Sequence, residues 1–168
     1  CWDFLQHGLL YGLFCSHHRP KLQPLDRPLD KTVPLLIPTA SAMSRQAQQN
    51  IIDFVSGGGH AILMGAMPET DLDYNPCTVL KEFLGNPRLT DVVTQALVLD
   101  VPEFGSTIYN PNPVSGVAEV PADAQPLAWE TRKHTCMGYR MTKGSGSITW
   151  LGIQFMAKTF EQIRLLEW

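Results

Sequence analysis

Between residues 33 and 64 the chain carries two short apolar runs separated by one amphipathic stripe, and that order leaves little choice of fold. Val33-Pro34-Leu35-Leu36-Ile37-Pro38 is apolar throughout, the pattern of a strand covered on both faces. Ala47, Ile51, Phe54 and Val55 then recur at helical spacing, while Gln46, Gln48, Gln49 and Asn50 are expected to face water. Ser41 or Ser44 can cap this helix, Gly57-Gly58-Gly59 ends it, and His60-Ala61-Ile62-Leu63-Met64 resumes as a strand. A strand, a helix and a strand of these lengths make a parallel βαβ crossover, so the expected class is α/β.

The flanking segments extend this pattern. Leu5, Leu9 and Leu13, with Trp2, Leu10 and Phe14, predict a core-facing helix over Trp2–His17. Lys21-Leu22-Gln23-Pro24-Leu25 reads as a strand, and Pro24, lacking a donor, assigns it to an edge. A further helix is expected over Cys77–Leu84, with Gly85 as its stop. Residues 89–123 break the alternation, with strand-like runs at Val92-Val93 and Ala96-Leu97-Val98-Leu99 and a turn cluster at Asn110-Pro111-Asn112-Pro113, and read as a β-rich insertion. From Pro126 onward two hairpins follow, turning at Arg132-Lys133 and at Lys143-Gly144-Ser145-Gly146, before a last helix over Ala157–Trp168.

At 168 residues the chain fits one domain that buries a core without disulfides. Its net charge of -3, 17% charged residues and lack of any Lys/Arg run offer no phosphate footprint, which excludes nucleic acid as a partner. No apolar stretch approaches the roughly 18 residues of a membrane span, so no membrane partner is expected. Cys1, Cys15, Cys77 and Cys136 show neither C-x-x-C nor zinc spacing, and no metal or cofactor is expected. The chain opens on Cys1 rather than Met with a helix already under way, which reads as a piece of something larger.

The chemistry is conspicuous for what the strand ends lack. Where a hydrolase would carry Cys or Ser on a tight strand-to-helix turn, this chain has Gly65-Ala66-Met67-Pro68. The last strand, Ile148–Ile153, runs into Gln154-Phe155-Met156-Ala157-Lys158 with no His or Glu to serve as base and orienter. Gly57-Gly58-Gly59 follows a helix and precedes a strand, the reverse of a phosphate loop, and Lys143-Gly144-Ser145-Gly146 precedes a strand as a hairpin turn does. Glu69, Asp71 and Asp73 cluster beside Tyr74 just beyond the carboxyl end of a parallel strand, where α/β sheets tend to place ligands. They could hold sugar hydroxyls or calcium while Tyr74 stacks on a pyranose, or form a solvated acidic loop. Cys77, at the start of a helix, could react with alkylating reagents.

The run from Val33 to Thr39, and that from Gln48 to Gly65 with its glycine-ended helix, resemble the amidotransferase-like domain that follows the catalytic barrel of large bacterial beta-galactosidases. Tyr139–Gly152, two strands joined by a glycine turn and closed by Leu151-Gly152, is similar to that domain's final hairpin. The resemblance implies a flavodoxin-like, three-layer, doubly wound sheet of the class I glutamine amidotransferase-like kind. It also implies a non-catalytic accessory domain spanning residues 1–168 of a glycoside hydrolase, packed on the catalytic barrel of the parent chain or at a homo-oligomer contact. Because the glycosidic carboxylates of such enzymes belong to the barrel, no catalytic residue carries over. The competing functions are a carbohydrate-binding module, with Trp129, Tyr109 or Tyr74 as stacking platforms, and an amidotransferase or hydrolase. In the family a strand precedes the first helix, whereas this chain starts at the helix.

Overall fold

The computed structural model describes residues 3–90, 97–110, 112, 115–154, 157 and 159–166, with the side chains of 97, 104, 106–110 and 160 left aside. The chain enters through a helix that is π-wound over Phe4–Leu10 and continues as α1 (Tyr11–Cys15). Residues 21–25 form no strand, in contrast to the expectation. Pro24 and the prolines around it supply few donors, and Leu25 instead packs partly against the core while its carbonyl accepts from Asn50 Nδ2 at 2.8 Å.

The parallel unit forms as its residue order requires. β1 (Leu35–Thr39) and β2 (His60–Gly65) pair in parallel with α2 (Arg45–Ser56) between them. Ser44 is the cap, its Oγ accepting from the Ala47 amide at 3.2 Å. Gly58 sits at φ +96°, and the Gly58 and Gly59 amides bond the carbonyls of Val55 and Phe54, both at 2.9 Å, closing the helix end. β1 is less enclosed than a doubly covered strand: Ile37 and Thr39 are buried, but Leu35, Leu36 and Pro38 are half-buried. Among the described strands it pairs with β2 alone.

The next helix is short, α3 (Val79–Phe83), since Thr78 rather than Cys77 precedes its first turn. The described parts of residues 89–123 are β-rich and join the main sheet. Their described parts supply β3 (Arg88–Leu89), β4 (Leu97–Val101), β5 (Ser106–Asn110) and β6 (Val117–Glu119), all joined to the same sheet; Val92 and Val93 lie outside the described residues. β7 (Ala124–Glu130), β8 (Cys136–Lys143) and β9 (Gly146–Leu151) make the two expected hairpins. Gly144 opens the second with φ +64°, the left-handed value a tight hairpin turn demands. The last helix, α4 (Phe160–Arg164), starts later than its pattern suggests because Thr159 and Gln162 form a reciprocal capping box.

Among the described residues the result is a mixed sheet of nine strands, ordered β1-β2-β9-β8-β7-β4-β5, with β6 on β8 and β3 on β6. β1, β2 and β9 run parallel; the other pairings are antiparallel. Alternation along β2 divides the core, as a period of two must. Ala61 and Leu63 join Ile51, Phe54, Val55 and Leu80 on one face, while Met64 and Ile62 meet Phe4, Leu9 and Leu165 on the other. Trp150 and Tyr139, paired across β9 and β8 and fully buried, stack tilted at 54° with centroids 5.9 Å apart. Tyr139 donates to the Leu84 carbonyl at 3.0 Å, and burial pushes its phenol far above the usual range.

Candidate functional site

The carboxyl ends of β1, β2 and β9 define the crevice where an α/β sheet ordinarily keeps its chemistry. Here that crevice is packed. Gly65 closes β2 at φ +125°, and a Cβ placed there would lie 2.3 Å from the Thr39 carbonyl oxygen and 2.8 Å from Gln154 Nε2. Trp150 Nε1 donates to the Gly65 carbonyl at 3.2 Å, and Gln154 Nε2 donates to the Thr39 carbonyl at 3.3 Å. Met67, 2% exposed, fills the turn that follows. Among the described residues here, Gly65, Ala66, Met67, Pro68, Trp150 and Gln154 carry no group that titrates or attacks an acyl carbon, and the one hydroxyl at the end of β1, that of Thr39, is fully buried.

The acidic loop follows directly. It is tied to the start of α2 by the Glu69 and Thr70 amides on the Ser41 carbonyl at 2.9 and 3.1 Å, and by the Met43 amide on the Thr70 carbonyl at 2.9 Å. Glu69 pairs with Lys81 of α3. Asp71 turns inward on its own loop: its carboxylate accepts from the amides of Asp73 and Asn75, both at 2.9 Å. Those bonds, the Asn75 amide foremost, hold the Asp71 carboxyl below its ordinary range. Asp73 is exposed, and Tyr74, at φ +63°, leaves 80% of its surface in solvent beside Leu72 at 66%. The four residues thus share one ordered loop, with Glu69 and Asp71 engaged within the chain and Asp73 and Tyr74 pointing outward. Among the described residues no set of three His, Cys, Asp or Glu is arranged to hold a metal ion.

The residue that organises this end of the molecule is one the sequence pattern assigns to water. Gln48 is fully buried: its Nε2 donates to the carbonyls of Met43 and Cys77 at 2.9 and 3.2 Å, and its Oε1 accepts from the Leu80 amide at 3.1 Å. Three segments therefore depend on one side chain, and no local signal separates Gln48 from Gln46 or Gln49. Cys77, 3% exposed beneath the loop, is shielded from reagents, unlike the exposed Cys15. Of the aromatic platforms, Trp129 is half-buried on β7; Tyr109 lies on β5 opposite Val98, with its side chain outside the described part.

Several known proteins are similar to this chain in sequence or in shape. The beta-1,2-glucosyltransferase of Ignavibacterium album is 26% identical over 179 residues, covering 98% of this chain and 23% of its own length. The exo-beta-D-glucosaminidase of Pyrococcus horikoshii is 29% identical over 116 residues, covering 67% of this chain and 14% of its own. The chain therefore spans a quarter or less of these relatives. The beta-galactosidase of Rahnella sp. R3 superposes with a TM-score of 0.74 over 93% of this chain and 25% of that one, at 12% identity, a likeness of fold. The family model described as "GLMA-like, second domain" matches residues 22–114, which takes in α2, the closed turn after β2 and the acidic loop. With more than half of its residues matched, the chain belongs to the GLMA-like second-domain family.

Proposed function

We propose that this chain is a non-catalytic accessory domain of a larger carbohydrate-active enzyme, a glycoside hydrolase of beta-galactosidase type, and that it serves interdomain packing or oligomer assembly. The observation that carries the reading is the closed strand end. Gly65 stands where a nucleophile would stand, a Cβ there would lie 2.3 Å from the Thr39 carbonyl oxygen, and Trp150 and Gln154 fill the adjoining space through their bonds to the Gly65 and Thr39 carbonyls. The share of the relatives' length that the chain spans supports a partner domain beside it. In finer detail we propose a flavodoxin-like, class I glutamine amidotransferase-like sheet. Its parallel core is β1, β2 and β9, residues 89–123 are a β-rich insertion, and a strand from a preceding segment of the parent pairs along the open side of β1.

The loop carrying Glu69, Asp71, Asp73 and Tyr74 fits this role as the surface that meets the catalytic barrel. Asp71 holds it in one shape, and it presents Leu72 and Tyr74 as adjacent exposed apolar groups. Purified alone, the 168-residue protein should turn over neither glutamine, activated esters nor nitrophenyl glycosides. In the full-length parent, the double change Leu72→Ser, Tyr74→Ser should lower the melting temperature or the assembly state seen by light scattering. Turnover by the isolated chain that disappears on replacing one of its residues defeats the proposal, as does a parent enzyme whose melting and assembly ignore the double change.

A further inference from the structure

The sheet is wider than the helices that cover it. Among the described residues α2 packs on β2 and β9, while on the same face of β7 and β4 Trp129 packs only partly against that core and Val98 and Asp100 are exposed. On that face Trp129 stands directly opposite Asp100 across the antiparallel β7–β4 pair, which sets their Cβ atoms about 4.5–5.5 Å apart. Trp129 and His134 both line two open surface clefts, of about 320 and 370 Å³. Asp100, Pro102 and Thr131 complete the second cleft, and Lys133 reaches the first.

The polar groups are held in place. The carboxylate of Glu130, 4% exposed, accepts from the amides of Arg132 and Lys133 at 2.7 and 2.6 Å, pinning the turn. The Glu130 amide bonds the Thr135 carbonyl at 2.8 Å and the Thr131 amide bonds the Val98 carbonyl at 3.1 Å, anchoring both ends of the turn. His134 sits at φ +52°, a conformation that non-glycine residues adopt when the surroundings impose it.

We propose that these clefts form a binding site for a neutral hexopyranoside, independent of the acidic loop and of the packing role above. A pyranose has an apolar C–H face and a rim of hydroxyls. The half-buried indole offers an aromatic surface for the first. Around it, a carboxylate that accepts from two vicinal hydroxyls, an imidazole that donates or accepts, and a threonine hydroxyl answer the second. Because Trp129 borders both clefts, a disaccharide bound there would place a unit on either side of the indole.

The test is a titration of the 168-residue protein with methyl β-D-glucopyranoside, methyl β-D-galactopyranoside and cellobiose, following indole N–H resonances by NMR, with glycerol as a ring-free control. Saturable movement of the Trp129 indole is expected, with a dissociation constant of about 1–10 mM. Asp100→Asn, at an exposed position that leaves folding intact, should weaken binding about three- to tenfold. Trp129→Ala should abolish it, while Tyr74→Ala leaves it unchanged. Absence of a saturable response to all three sugars overturns the proposal. So does a response that glycerol reproduces, that survives Asp100→Asn at full strength, or that Tyr74→Ala removes.

Discussion

The two ends of this sheet differ in how completely they are covered. At the parallel end, β2 and β9 have α2 on one face and Phe4 and Leu9 of the first helical segment in the cluster on the other, and every residue of β9 except Ser147 is buried. At the antiparallel end, β4 buries Leu99 and Val101 on one face while Val98, 41% exposed, and Asp100 look out from the other. The parallel end is where this fold class usually houses chemistry, yet here packing fills it, while the antiparallel end leaves Val98 and Asp100 exposed. Strand-end position alone therefore does not make a cavity; side-chain packing decides which part of the sheet stays open.

The two tryptophans put that contrast to its strongest test. Trp150 is fully buried and hydrogen-bonded, so Trp150→Ala should cost about 3–5 kcal/mol through the cavity it leaves. Trp129→Ala, at a half-buried site, should cost under about 2 kcal/mol. Urea denaturation of the two variants decides the matter, and equal losses would erase the distinction between a closed and an open end. A smaller effect is expected at the junction of α2 with the acidic loop. Gln48→Leu keeps the volume but strands the carbonyls of Met43 and Cys77 and the amide of Leu80, at a cost of about 1–3 kcal/mol. It should also open Cys77 to a thiol reagent that otherwise reaches Cys15 alone among Cys15, Cys77 and Cys136; continued protection of Cys77 would mean the loop holds without Gln48.

The smallest expected effect concerns Asp71. Its folded-state pKa lies below the ordinary 3.8, so its contribution to loop order is complete above that value and disappears as pH falls through the lower folded one. NMR should show the Asp73 and Asn75 amides losing protection only in that acid range, with the sheet amides unaffected. Loss of protection near neutral pH would detach the loop's order from Asp71.

The residue order by itself determined the βαβ unit, the glycine-closed end of α2, both C-terminal hairpins and the vacancy of chemistry at Gly65. Each is written within about ten neighbouring residues, in periodicity, caps and turn glycines whose energetics are local. Tertiary structure alone decided that 21–25 is not a strand, that Gln48 is a buried clasp, and how β3–β6 are placed in the main sheet. It also decided that Trp129 and Asp100 stand opposite one another on one face of the β7–β4 pair. Those outcomes turn on which distant carbonyls, amides and side chains arrive beside one another. A proline-rich segment is a strand only if a neighbour offers a ladder, and a glutamine is buried only where three chain segments leave it exactly the partners it can satisfy.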